Sequence, residues 1–165
     1  MEEKLISLLR EANLVIRREV VLSGGQIAKF YVDVKRAYRD PKLLDLLGES
    51  IAKMLGDETC VAAMGYGGIP LATVVSIRRN LPLVMVRGEP KEYGQRNWVD
   101  GYTPHSEDRV AIIDDVLTSG RSLRKIADIV ERSGAKVKAG YVVVNRGEAK
   151  MLFPVSHLVE ARSLL

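Results

Sequence analysis

Two adjacent carboxylates at the end of an apolar run, followed by hydroxyls and a glycine, form the segment of this sequence best equipped for chemistry. It reads Val110-Ala111-Ile112-Ile113-Asp114-Asp115-Val116-Leu117-Thr118-Ser119-Gly120-Arg121-Ser122. The apolar residues predict a buried strand, and open α/β sheets bind ligands at the carboxyl ends of their strands. Thr118, Ser119, Gly120 and Ser122 then lead into a predicted helix. Hydroxyls and backbone N–H groups at a positive helix end make an anion cradle. Acids beside such a cradle suit a polyol phosphate, the carboxylates taking sugar hydroxyls or a magnesium ion while the N–H groups hold the phosphate.

Two other segments fit the same chemistry. Met64-Gly65-Tyr66-Gly67-Gly68-Ile69-Pro70-Leu71-Ala72 also follows an apolar run, and its glycines let backbone approach an anion closely. It lacks the lysine and spacing of a P-loop and is not a dinucleotide fingerprint. Val86-Arg87-Gly88-Glu89-Pro90-Lys91-Glu92-Tyr93-Gly94-Gln95 concentrates charge in a long stretch, where a solvated charge run is the default.

The elements that must position these residues can be read from periodicity. Leu5, Leu8, Leu9 and Ala12 predict a short amphipathic helix. Val15 to Leu22 and Ile27 to Val34, joined by Ser23-Gly24-Gly25-Gln26, read as a hairpin-like pair. Asp40-Pro41 opens a helix running to about Leu55. Strands are then predicted over 60–64, 83–86, 110–113 and 137–144, helices over 70–79 and 122–133, and an edge strand over 153–160. Residues 88 to 108 form a loop too long to be a plain connection. The pattern is α/β, with a mostly parallel sheet covered by helices on both faces.

Composition narrows the function classes. A chain of 165 residues fits one domain with a sizeable core. Its net charge of +4 is too small to argue for nucleic acid and suits a small anionic ligand. A single cysteine, Cys60, and two histidines leave no disulfide framework and no plausible zinc cluster. Neither His105 nor His157 has a Ser or Cys partner in a nucleophile motif. Cys60 reads as core, and Arg78 and Arg79 read as helix-terminal charges. Trp98 could pack on a partner subunit or shield the base of the long loop. Charges interrupt every apolar run well short of a membrane span, and a cytoplasmic protein is expected.

The 110–122 segment resembles the PRPP-binding motif of the type I phosphoribosyltransferases; the 64–72 segment resembles their pyrophosphate loop. An acidic pair at a strand end also occurs in receiver-type phosphorylation domains, but these do not explain the Thr118 to Ser122 cradle. Arg87, Lys91 and Gly94 match the Arg-Lys-x-x-Lys-x-His-Gly loop of orotate phosphoribosyltransferases. The stretch from Leu22 to Asp33 resembles that branch's Lys-Ser-Gly element, and Val144-Asn145-Arg146-Gly147-Glu148 its Asp-Arg-x-Glu turn. Leu22, Gly67, Gly88, Tyr93 and Asn145 depart from residues usual in the family, Gly67 being a lysine in many bacterial members.

The resemblance implies a type I phosphoribosyltransferase fold over residues 1–165, with a small hood and base pocket from 1–36 and 152–165 and a mobile catalytic loop at 88–108. It implies transfer of the phosphoribosyl group of PRPP to orotate, giving orotidine 5′-phosphate and pyrophosphate in pyrimidine biosynthesis. Asp114 and Asp115 would hold the ribose hydroxyls of PRPP, and Thr118, Ser119, Gly120, Arg121 and Ser122 its 5-phosphate. Tyr66, Gly67 and Gly68 would cradle pyrophosphate. Arg87 and Lys91 would act from a homodimer partner, whose loop over residues 88–100 would reach the adjacent subunit's site. Phe30, Tyr31, Thr118 and Arg146 would meet orotate. Mg²⁺ would be held mainly through PRPP, with Asp114 or Asp115 reached through water. Two alternatives remain: a purine-type acceptor, for which Tyr141 is the one aromatic hint, and a PRPP-sensing regulator binding nucleic acid, against which the mixed charge and the absence of a reader element argue.

Overall fold

The computed structural model describes residues 2–21, 25, 27–92 and 97–165. In chain order its elements are α1 (Glu2–Glu11), β1 (Val15–Ile16), β2 (Val20–Val21), β3 (Ile27–Ala28), β4 (Tyr31–Val32), α2 (Pro41–Ala52), β5 (Cys60–Met64) and α3 (Gly65–Arg79). There follow β6 (Leu83–Val86), β7 (Val99–Gly101), β8 (Arg109–Leu117), α4 (Arg121–Glu131), β9 (Lys136–Asn145) and β10 (Val155–Glu160). Short 3₁₀ turns cover Val34–Arg39 and Ala161–Leu164.

The central sheet runs in the order β10-β9-β8-β5-β6-β7. Its first five strands are mutually parallel and β7 is antiparallel to β6. The apolar runs explain why β5, β8 and β9 take the middle: Cys60–Ala63, Val110–Ile113 and Val142–Val144 are completely buried, as strands covered on both faces require. One face packs on α1, α2 and α3 through Leu9, Leu47, Ile51, Leu71 and Val75; the other packs on α4 through Leu123, Ile126 and Val130.

The amino-terminal pair is a broken hairpin, β1 pairing antiparallel with β4 and β2 with β3. Its turn residues Leu22, Ser23, Gly24 and Gln26 lie outside the described residues, as do Tyr93, Gly94 and Gln95. Asp40 caps α2, accepting from the Lys42 N–H at 2.9 Å with Pro41 at the first position, a cap worth about 1 kcal/mol. The helix ends at Ala52 rather than Leu55, where Arg79 donates to the carbonyls of Ala52, Leu55 and Gly56. That is the helix-terminal role expected of an arginine. The carboxyl-terminal stretch closes the sheet as β10, and Arg10 and Arg17 then hold the carbonyls of Ser163 and Leu165.

Two expectations need correction. The helix read as 70–79 begins at Gly65, because that glycine (φ +73°) turns the strand directly into helix. Pro70 thus sits inside α3, where it cannot donate back toward Tyr66. The loop read as 88–108 is much shorter. Val99–Gly101 pairs with Val84–Val86, and Asp108 pins the return by accepting from Thr59, Tyr102 and the His105 N–H.

Candidate active site

The carboxyl ends of β5 and β8 meet the amino-terminal pair around a cleft of about 490 Å³. Tyr31, Lys35, Tyr66, Gly67, Asp114, Asp115, Thr118, Ser122 and Arg146 all line it. The 64–72 turn, the 110–122 segment, the amino-terminal pair and the turn after β9 all contribute to this lining, and the described residues of the 86–95 segment do not.

The two acids differ in environment. Asp114 is buried, and Asp115 keeps a side-chain exposure of 17%. Burial, and then the neighbouring Asp115 charge, push the Asp114 carboxyl well above the usual carboxylate range. Each acid takes a nearby backbone donor: the Asp115 N–H reaches Asp114 Oδ1, and the Val116 N–H reaches Asp115 Oδ1, both at 2.9 Å.

The glycine-rich turn packs tightly on this pair. A Cβ on Gly67 would stand 2.5–2.6 Å from the Asp115 carboxyl group, and one on Gly68 would stand 2.7 Å from the Ile113 carbonyl. Only glycine fits at either position without shifting the acids or the strand. Tyr38 Oη donates to the Gly67 carbonyl at 2.6 Å, and burial followed by the nearby acids raises its pKa.

The cradle after β8 turns on Gly120, at φ +76°, with no side chain capping the start of α4. Gly120 offers no capping side chain at this helix start, which suits an anion site. Arg124 braces the turn, donating to the Ser119 carbonyl at 2.7 Å and the Lys150 carbonyl at 2.8 Å. Arg121 opens the helix and Ser122 lines the cleft.

Arg146 reaches the cleft because the turn after β9 lies against the cradle. Its N–H donates to the Leu117 carbonyl at 2.8 Å, and no Cβ fits between Gly147 and the Thr118 carbonyl. The guanidinium donates to the Phe30 carbonyl and stands 4.7 Å from the Phe30 ring centroid. Burial lowers its pKa. Phe30 faces a second hollow on the other side of Arg146, so Tyr31 and not Phe30 lines the main cleft.

Arg87 and Lys91 are not among the residues lining the cleft. Both pair with Asp100 on β7, at 2.5 Å and 3.1 Å, and Lys91 in particular lowers the Asp100 pKa. Trp98 lies partly buried at the base of this hairpin, beneath Lys125 of α4 and Arg132 just after it. Tyr141 is buried and donates to Glu58 Oε1 at 2.5 Å, so it is no stacking residue for a base. Cys60 is core, its thiol pushed up to about 12 by burial.

The family model for the phosphoribosyl transferase domain matches residues 33–162. The chain belongs to the phosphoribosyltransferase family. Among curated members it is 38% identical to orotate phosphoribosyltransferase of Methanocaldococcus jannaschii over 89% of this chain and 84% of that protein. The crystal structure of orotate phosphoribosyltransferase from Aeropyrum pernix superposes with a TM-score of 0.76 at 27% identity, covering 97% of this chain and 95% of that one. The Mycobacterium tuberculosis H37Rv enzyme in complex with 5-phospho-α-D-ribosyl 1-diphosphate (PRPP) gives 0.77 at 22% identity over 99% and 98%, a likeness of fold. Within this phosphoribosyltransferase, sequence reasoning missed Lys35 and Tyr38. Both lie on the 3₁₀ turn just ahead of the Asp40-Pro41 helix start, where mixed charge carries no periodic signal.

Proposed function

We propose that the chain is an orotate phosphoribosyltransferase, joining N1 of orotate to C1 of the PRPP ribose as the C1–O bond to diphosphate breaks. Orotate loses its N1 proton, and orotidine 5′-phosphate and diphosphate leave. The observation that carries this reading is a single cleft holding an acidic pair, two anion-binding turns and Arg146. The relatives named above support orotate as the acceptor.

Catalysis then needs no protein nucleophile, only alignment of the reactants and stabilisation of charge on the departing diphosphate. Asp114 and Asp115 take the ribose hydroxyls. Residues 118–122 hold the 5-phosphate, Tyr66, Gly67 and Gly68 the diphosphate, and Arg146 the orotate carboxylate with Tyr31 beside it, while Phe30 backs the Arg146 guanidinium. Among the described residues no three His, Cys, Asp or Glu side chains are grouped to hold a metal. Two cleft carboxylates fit Mg²⁺ carried on PRPP oxygens, since that ion keeps waters and shares its ligands with phosphates. When bound, it neutralises diphosphate charge.

Arg87 and Lys91 serve the cleft of a second copy in this reading; their pairing with Asp100, apart from the cleft of their own chain, supports it. The amino-terminal segment and the carboxyl-terminal turn, which meet through Arg10 of α1 and Arg17 after β1, shape the base pocket. A cytoplasmic location belongs to the same reading; no helix among the described residues is long and apolar enough to cross a membrane. The test follows absorbance in the orotate band with protein, PRPP and Mg²⁺, running hypoxanthine, adenine and uracil in parallel. PRPP-dependent loss of orotate is expected. Turnover of another base alone would overturn the acceptor, and PRPP binding without turnover would favour a regulator.

A further inference from the structure

We propose that Lys35 is the cation that receives the diphosphate of PRPP at the glycine-rich turn. This assignment rests on the phosphoribosyl-transfer reading and adds a substrate contact to it. The cleft gathers anionic groups, with Asp114 and Asp115 in its wall and Asp33 behind Lys35. A substrate with a phosphate and a diphosphate needs positive charge there. Among the described residues the cations lining the cleft are Lys35 and Arg146. In that reading Arg146 takes the orotate carboxylate, and Arg87 and Lys91 come from a second copy, which leaves Lys35 as this chain's own cation for the diphosphate.

The turn supplies no charge from position 67, where glycine stands and a Cβ would displace the Asp115 carboxyl. Lys35 brings it from the neighbouring element. Its Nζ stands 2.9 Å from Asp33 Oδ1 and 3.8 Å from Asp115 Oδ2, beside the acid that packs on Gly67. Tyr38, on the same 3₁₀ turn, holds the Gly67 carbonyl, so ammonium and glycine turn share one support. The side chain is 40% exposed and free to swing the short distance from carboxylates to an incoming anion. Burial opposes its charge, but the Asp33 and Asp115 contacts outweigh this and keep it an ammonium.

Binding of inorganic diphosphate with Mg²⁺, followed by calorimetry, separates a substrate contact from a mere partner for Asp33. Lys35→Met should weaken diphosphate and PRPP by about tenfold to a hundredfold, the range for a lost charge-assisted contact, with KM for orotate unchanged. Lys35→Arg should recover most of the affinity. The double variant Lys35→Met/Asp33→Asn removes the stranded carboxylate and should stay as weak as Lys35→Met. Unaltered diphosphate binding in Lys35→Met, or recovery in the double variant, would overturn the proposal. Failure of the unchanged protein to bind PRPP or consume any base would instead end the phosphoribosyl-transfer reading.

Discussion

The two ends of the central strands bury carboxylates in opposite ways. Just before β8, Asp108 accepts from Thr59 Oγ1 at 2.6 Å, Tyr102 Oη at 2.9 Å and the His105 N–H at 2.9 Å. Burial alone would raise its pKa, but these donors prevail and hold it below the ordinary range. Near the other end of the same strand, Asp114 is as hidden from solvent but lies deeper in the fold, faces another carboxylate, and is raised. A buried acid supplied with protein donors is a structural pin; one left short of them stores a cost that a ligand's hydroxyls can relieve. The difference agrees with the proposed placement of substrate at the carboxyl end.

Substitutions at the carboxyl end should therefore move activity and those at the amino end stability. The largest effect is expected at Lys91. Lys91→Ala should lower kcat by roughly 10²–10³-fold, the scale for losing one group that stabilises transition-state charge. PRPP binding should change much less, and the melting temperature hardly at all, because the lysine's partner Asp100 keeps Arg87. Steady-state kinetics beside a thermal melt check both halves. Wild-type turnover in this variant would remove Lys91 from the mechanism.

Asp108→Ala tests the opposite end. It strands the Thr59 and Tyr102 hydroxyls and the His105 N–H, a loss of about 2–3 kcal/mol, read as a lower midpoint in urea. Turnover per folded molecule should not change. Because the carboxyl is held below its ordinary range, its contribution is present above that range and is lost as pH falls through the native value. Wild type and variant should thus converge in strong acid.

The strands were legible in the sequence because contiguous apolar runs carry their own signal: Cys60–Met64 and Leu83–Val86 fall where periodicity puts them. So was the 110–122 cradle, whose acids, hydroxyls and glycine are neighbours in the chain. The start of α3 was hidden by glycines and Pro70, which read locally as a turn. β7 was hidden by its length, since three residues become a strand only through pairing with β6. Lys35 was hidden most deeply, because its role comes from Asp115 in another segment, a contact that only tertiary structure creates.

The smallest expected effect sharpens the comparison most, because its sign differs between the two readouts. Asp114→Asn removes an ionisation that the native state disfavours, so it should stabilise the protein at neutral pH by about 1 kcal/mol, or about 2–4 °C for a chain of this size. A group whose native pKa is raised lets the unfolded chain ionise first, and the wild type loses stability as pH rises above the ordinary carboxylate range. The gain in Asp114→Asn should accordingly vanish in acid, the reverse of a salt-bridged acid. PRPP affinity should fall about tenfold in the same variant, since an amide offers the ribose hydroxyls one acceptor oxygen in place of two. Melts across pH with and without PRPP read both signs in one experiment. A variant less stable than wild type at neutral pH would mean that Asp114 is a structural pin like Asp108, and the contrast between the two ends of the sheet would fail.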